Sequence, residues 1–400
     1  MKMTDYNHLF ELNELAVKEA NQYPKKRELY SQLVGDSGKH FIGVTGPRGV
    51  GKTVILKQIT ANTQNSFYLS LDTIEADDDL FEIAKTLSER YGFKKLIFDE
   101  IHYHKNYEKM LKKIYDFLEV RVIFSSSVSL SMLESAYDLS RRARLVHLYP
   151  FSFREYLFFK KDVLLPRLTL DNILNQEWKP EHLRYEYLFE DYLKGGLYPF
   201  SLEEPRVLPL LENVIQKILQ KDIPSVAKLS IEEISLIEKV IKFIGRSSVD
   251  GINYSSISSN LKITKYKAES YIGLLKNAFV LHVLFPTGTN VLREPKVLMH
   301  LPFRLLYRSY DEAVGGLRED FTAEMLQMKG LEFYYLKTTR GGKTPDFLVK
   351  KDGDDIVIEV GGKSKGREQF KGVEVNKKII LSHSHQVEGI KRPLFLLGFI

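Results

Sequence analysis

The sequence predicts an α/β protein built on a doubly wound parallel sheet, with helical segments and a further α/β module behind it. Three observations predict the class. Residues 46–53, Gly-Pro-Arg-Gly-Val-Gly-Lys-Thr, join a short apolar run (40–45) to a run with helical spacing (54–59). A second apolar run, 95–98, ends in Asp99 and Glu100. Strand-like and helix-like patterns then alternate through residue 150, as they do where crossover helices join parallel strands.

Composition narrows the classes further. A chain of 400 residues has room for two to four domains. The absence of cysteine excludes disulfides, thiolate zinc sites and cysteine nucleophiles. With 58 Lys and Arg against 52 Asp and Glu, the net charge of +6 permits nucleic-acid binding without arguing for it. The stretch 1–14 has no apolar signal-peptide core, and no run approaches the roughly 18 apolar residues of a membrane span. The expectation is a cytoplasmic protein with no membrane partner.

Taken in order, residues 15–33 are expected to form a helix leading into the first strand. The glycine, four free positions and Gly-Lys-Thr that follow fit a P-loop, and their setting between strand and helix gives the pattern its mechanism. Glycines let backbone N–H groups curl around phosphates, and the helix N-terminus adds partial positive charge. The nucleotide-binding stretch is Gly46, Pro47, Arg48, Gly49, Val50, Gly51, Lys52, Thr53 and Val54. Lys52 is expected to reach the β- and γ-phosphates of ATP, and the Thr53 hydroxyl to ligate Mg²⁺.

Residues 66–71 read as a second strand. Asp77, Asp78 and Asp79 precede the helical run 80–87 and read as a cap and acidic first turn rather than a metal loop. The strand 95–99 brings Asp99 and Glu100 to its end. In a P-loop ATPase these positions hold the Mg²⁺-side aspartate and the carboxylate that orients the attacking water. His102 and His104 read as an exposed loop. A helix over 107–118 and a strand over 120–124 lead to Ser125, Ser126 and Ser127. A polar group there either contacts the γ-phosphate or the water, or caps the next helix. Residues 144–149 supply the fifth strand.

Together the loop 46–53, Ile97-Phe98-Asp99-Glu100 and Phe124-Ser125-Ser126-Ser127 resemble an AAA+ ATPase. The run 149–156, Tyr-Pro-Phe-Ser-Phe-Arg-Glu-Tyr, resembles more narrowly an archaeal and bacterial group related to origin-recognition-type ATPases. The resemblance implies a γ-phosphate sensor at Ser125 or Ser126. It also implies a role for an arginine among Arg141, Arg142 and Arg144, with Arg142 as the choice, against a neighbouring copy's γ-phosphate. The alternative for these arginines is a solvated basic segment at the sheet edge.

Four domains are expected: the ATPase domain 1–150, a helical lid 151–228, a winged helix 229–302 and a nuclease-like domain 303–400. In the lid, aromatic residues read as core, and 195–199 as a turn. Helices at 231–244, 255–261 and from Thr264, then a hairpin over 280–299, resemble a winged helix-turn-helix. Its third helix presents Lys265, Lys267 and Lys276 to DNA, or the module binds a protein partner. The C-terminal order of helix 318–328, strands at 331–336, 345–349 and 355–360, a helical patch, and strands at 378–381 and 394–397 resembles a PD-(D/E)XK nuclease. Asp346 and Glu359 would converge to hold Mg²⁺, with Glu319 joining them. The family's lysine position is Gly361 here, and the nearest lysine is Lys363. The module is either a nuclease with a migrated lysine or a degenerate one kept for binding. His383 and His385 read as surface residues.

Overall fold

The computed structural model describes residues 5–36, 38–75, 78–128, 139, 141–248, 251–287, 294–336, 344–362, 366–370 and 375–400. The chain divides into two compact units, one of residues 1–149 with 220–228, the other of 150–219 with 229–400.

The first unit opens with two helices, α1 (Tyr6–Ala20) and α2 (Glu28–Gly35), where the sequence predicts one over 15–33. Pro24 explains the break, since it lacks an N–H and pushes the residue before it out of helical conformation. Then follow β1 (Phe41–Thr45), α3 (Lys52–Ala61), β2 (Ser66–Ser70), α4 (Leu80–Lys85), β3 (Lys95–Asp99), α5 (Tyr107–Phe117), β4 (Arg121–Ser126) and β5 (Ala143–His147). Strand order is β2-β3-β4-β1-β5, with every neighbouring pair parallel. The core holds Phe41, Phe67, Phe98 and Phe124 together with Leu80, Leu87, Leu111 and Ile114 from the helices. Because β1 lies inside the sheet and β2 at its edge, the connections diverge beside β1. Such a switch point leaves a crevice beyond the strand carboxyl ends. Asp79 caps α4, accepting from the N–H groups of Phe81 and Glu82; Asp77 lies outside the described residues.

The second unit contains α6 (Phe153–Lys161), several short helical turns and α7 (Val207–Lys217). Gly195, with φ of +126°, packs so closely that a β-carbon there would stand 2.5 Å from Val207 Cγ1. Next come α8 (Ile231–Arg246), α9 (Tyr254–Leu261), α10 (Lys265–Asn277) and the antiparallel pair β6 (Leu281–Leu284) and β7 (Lys296–Met299). Helix α11 (Tyr310–Met328) starts eight residues before the predicted 318, because Ser309 and Glu312 close a capping box around its first turn.

Helix α11 packs on a five-stranded sheet of order β12-β11-β10-β9-β8. Its strands are β8 (Glu332–Tyr335), β9 (Phe347–Lys351), β10 (Asp354–Gly361), β11 (Lys377–Ser382) and β12 (Lys391–Pro393). The first three are antiparallel, and β11 and β12 run parallel to β10. The run 394–397, expected as a closing strand, is instead part of a buried 3₁₀ helix, Leu394–Phe399. A short continuous apolar run has no period to separate a buried strand from a buried helical turn. Phe395 and Phe399 pack there edge-on against Phe153.

Candidate nucleotide site

The loop after β1 is shaped for a phosphate chain. Gly46 has φ of +155°, and a β-carbon there would lie 2.1 Å from the Leu148 carbonyl oxygen. Gly49 and Gly51 have φ of +87° and +91°. Asp5 and Asp79 cap α1 and α4; no side chain caps α3, as none caps α2 or α5, so the first-turn N–H groups of α3 have no capping side chain. Arg27 braces the loop by donating to the Val50 carbonyl at 2.8 Å. Lys52 is buried, and its ammonium donates to the carbonyls of Gly46 (2.8 Å) and Pro47 (2.9 Å). Burial pushes that ammonium below its ordinary 10.5, against the pull of the Glu100, Asp99 and Asp222 carboxylates. Thr53 and Val54 stand half-buried in the same turn.

Asp99, 1% exposed at the end of β3, accepts from the Tyr68 hydroxyl at 2.8 Å, from the Glu100 N–H at 3.2 Å and from the Ser125 hydroxyl. Ser125 in turn accepts from the Glu100 N–H at 3.0 Å. The serine predicted as a sensor is thus fixed to the aspartate predicted for Mg²⁺. Glu100 has φ of +51°, a left-handed backbone conformation just beyond the strand. Its carboxylate lies 3.6 Å from Arg48 Nη1, 3.4 Å from His102 Nδ1, and accepts from the Ser127 hydroxyl at 3.3 Å.

Sequence reasoning missed the partner of Arg48. The guanidinium forks onto Asp222, Nε to Oδ2 at 2.9 Å and Nη2 to Oδ1 at 2.6 Å. The Tyr103 hydroxyl donates to Asp222 Oδ1 at 3.1 Å, and His102 Nε2 lies 3.9 Å from the same oxygen. Burial alone would raise the Asp222 carboxyl, but His102 and Arg48 outweigh it and hold the group well below its ordinary 3.8. His102 and His104 are therefore not an exposed loop: they are 5% and 4% exposed. The 3₁₀ turn Ile101–Tyr103 folds His102 into the Arg48 network, and His104 Nε2 lies 2.7 Å from the Asp78 carbonyl. Asp222 stands 174 residues beyond Arg48, and no local pattern marks it.

Arg142 pairs with Asp116 through Nε at 2.9 Å and Nη2 at 3.0 Å, and Arg144 pairs with Asp36. Both guanidiniums are engaged within the first unit, and that of Arg144 stays more than half exposed.

In the second unit, Lys296 from β7 donates to Glu319 Oε2 at 2.6 Å, beside Asp346. Asp346 accepts from the Val360 N–H at 2.7 Å. Its carboxyl is pushed well above 3.8 by burial and by Glu319 and Glu359, with Lys296 opposing. Lys296, Asp346, Asn253, Glu294 and Tyr335 line a cleft of about 310 Å³. Lys363 lies outside the described residues. Lys265 pairs with Glu294, and Lys267 lies 3.9 Å from Glu233, so two of the three lysines expected to face DNA are in ion pairs. His383 is not a free surface residue: it accepts from Arg318 Nε at 3.2 Å, and burial and that charge bring its imidazole down to about 4. His385 is exposed and pairs with Glu186.

The residues of the first unit fit a nucleoside triphosphate with a hard cation. Uncapped N–H groups and a lysine suit phosphate oxygens, and a threonine hydroxyl and a buried carboxylate are oxygen donors of the kind Mg²⁺ takes. Among the described residues no helix is long and apolar enough to cross a membrane.

Comparison with known proteins agrees on the first unit. Residues 38–157 match a family model described as an AAA domain, and residues 186–300 match a domain of unknown function, DUF8612. An uncharacterized protein of Methanocaldococcus jannaschii is 28% identical over 93% of this chain and 87% of its own length. A second from that organism is 24% identical over 91% and 86%, and one from Haemophilus influenzae 26% over 64% and 65%. Among solved structures, the Aeropyrum pernix ORC1 protein in complex with DNA aligns with 78% of this chain and 94% of its own, at 15% identity and a TM-score of 0.29. AMPPCP-bound DnaA from Aquifex aeolicus aligns with 62% and 85%, at 15% and 0.26. At those scores neither structure bears on the reading. The loop geometry and the parallel strand order agree with the match of residues 38–157 to an AAA domain model.

Proposed function

We propose that this chain binds ATP with Mg²⁺ and hydrolyses it. The uncapped start of α3, with Lys52 folded over the Gly46 carbonyl, carries the reading. Bound phosphates would take over the hydrogen bonds Lys52 now gives to the loop. Mg²⁺ held by Thr53 and Asp99 would neutralise charge on the β- and γ-oxygens. Glu100 would orient the attacking water and take its proton. Arg48 and His102 hold Glu100 while they also hold Asp222, so these contacts set where that carboxylate points. Ser125 positions Asp99, and Arg142 is our candidate for an arginine reaching a neighbouring copy in a homo-oligomer. Steady-state ATP turnover tests the proposal. Lys52→Ala should lower turnover by about 10²-fold or more, and Glu100→Gln should do the same while still binding nucleotide. Turnover that survives Lys52→Ala overturns it.

A second reading concerns residues 229–400: a winged-helix and nuclease-like pair acting on DNA in the cytoplasm. Its support is that Lys296, two residues beyond Glu294 in the cleft, pairs with Glu319 and acts electrostatically on Asp346, where Gly361 offers no cation. Asp346 and Glu359 would hold the divalent ion for phosphodiester hydrolysis, and Lys296 would supply the positive charge. Alternatively the module binds a protein partner.

A further inference from the structure

One buried cluster in the second unit belongs to neither reading. His282 on β6, His300 just after β7 and Glu324 on α11 each offer a ligand atom, all within 4.8 Å of one another. Their exposures are 3%, 3% and 0%. His282 Nε2 lies 3.6 Å from Glu324 Oε2, and His300 Nδ1 lies 3.3 Å from Glu324 Oε1. Four ligands at zinc–nitrogen and zinc–oxygen distances stand about 3.4 Å apart in a tetrahedron. The two histidine–glutamate separations are near that spacing, though to different oxygens of Glu324, and the three ligand atoms all lie within 4.8 Å of one another.

Hydrogen bonding shows what the cluster lacks. His282 Nδ1 lies 2.7 Å from the Gln327 amide oxygen, which only accepts, so the ring proton sits on Nδ1. That leaves a lone pair on Nε2, which is buried without a hydrogen-bond partner and faces a carboxylate oxygen. Two electron-rich atoms in that arrangement call for a cation between them. One turn earlier on α11, buried Asp320 has its cation, Arg304, at 2.8 and 3.0 Å. Glu324 has no arginine or lysine partner among the described residues. It accepts from the Leu301 N–H at 3.1 Å and stands 3.3 Å from His300 Nδ1 and 3.6 Å from the partnerless His282 Nε2. A buried carboxylate with no cation beside it is destabilising. The Tyr198 hydroxyl, also buried without a hydrogen-bond partner, lies within electrostatic reach of Glu324 and offers a further oxygen.

We propose that His282, His300 and Glu324 bind one divalent transition-metal ion, zinc by donor set, which pins the β6–β7 pair to α11. Two histidines and a glutamate are a zinc-type set, and the Gln327 contact that fixes the His282 ring is the outer-shell support such ligands carry. No catalysis is assigned to this ion, since no cavity described here opens on it.

The experiment is elemental analysis of the full chain, purified without a metal-affinity tag, followed by chelation and titration with Co²⁺. Wild type should carry about one equivalent of transition metal and, once stripped, develop the visible ligand-field bands of four-coordinate Co²⁺. His282→Ala and Glu324→Gln should lose both signals, and Gln327→Ala should bind about 10- to 100-fold more weakly. Folded wild type with no transition metal and no cobalt bands overturns the proposal, as does His282→Ala with wild-type metal content. Should the variants fail to fold, the cobalt titration of wild type alone decides.

Discussion

At the scale of single residues, the P-loop arginine is the informative position. Arg48 sits at a free position of the motif, yet it forks onto Asp222 and touches Glu100. Removing one partner of a buried ion pair strands the other, so Asp222→Asn should cost about 3 kcal/mol in denaturant unfolding. The pH dependence follows from the direction of the shift. Asp222 is held below its ordinary 3.8, so its contribution is complete above that value and is lost as pH falls toward the folded-state value. Wild type should therefore lose stability on acidification below about pH 4, and Asp222→Asn should show a shallower acid limb. Equal acid limbs in the two proteins would exclude this assignment.

At the scale of elements, the proposed nucleotide site rests on the strand–loop–helix unit. Gly46 combines φ of +155° with a β-carbon position 2.1 Å from a backbone oxygen, which cannot swing away as a side chain can. Gly46→Ala should thus displace the loop from β5's exit and weaken binding of a fluorescent ATP analogue more than 10-fold, roughly the effect of losing one or two charge-assisted hydrogen bonds. Binding as tight as wild type would mean that the loop tolerates the shift. The elements themselves were largely legible. Apolar runs bounded by glycine or acidic residues predicted β1 to β4 and β8 to β10 within a residue or two. The failures have physical causes. Pro24 split a helix whose apolar spacing ran on, and 394–397 was buried on all sides, which erased its period.

At the scale of the molecule, the chain carries two acidic centres with different surroundings. Asp99 accepts from hydroxyl and N–H donors, whereas burial and carboxylate neighbours push Asp346 upward. If the second reading holds, Mn²⁺-dependent plasmid cleavage should be lost in both Asp346→Asn and Lys296→Ala, while ATP turnover persists. Cleavage by Asp346→Asn at the wild-type rate would remove the nuclease reading and leave ATP hydrolysis untouched. Carboxylate positions in this module were legible as Pro-Asp and Ile-Glu on neighbouring strands. The lysine beside them was not, because it comes from β7, before the module expected to hold it.

The sequence by itself determined the nucleotide loop, the Asp99–Glu100 strand end and the alternation that makes the parallel sheet. These are local: a glycine pattern, an apolar run and a period of a few residues are written contiguously. Tertiary structure alone decided which distant groups meet. Asp222 on Arg48, Lys296 on Glu319, and His282 and His300 on Glu324 each join residues more than 20 positions apart. Such pairs are set by how helices pack and strands register, and no spacing along the chain records them.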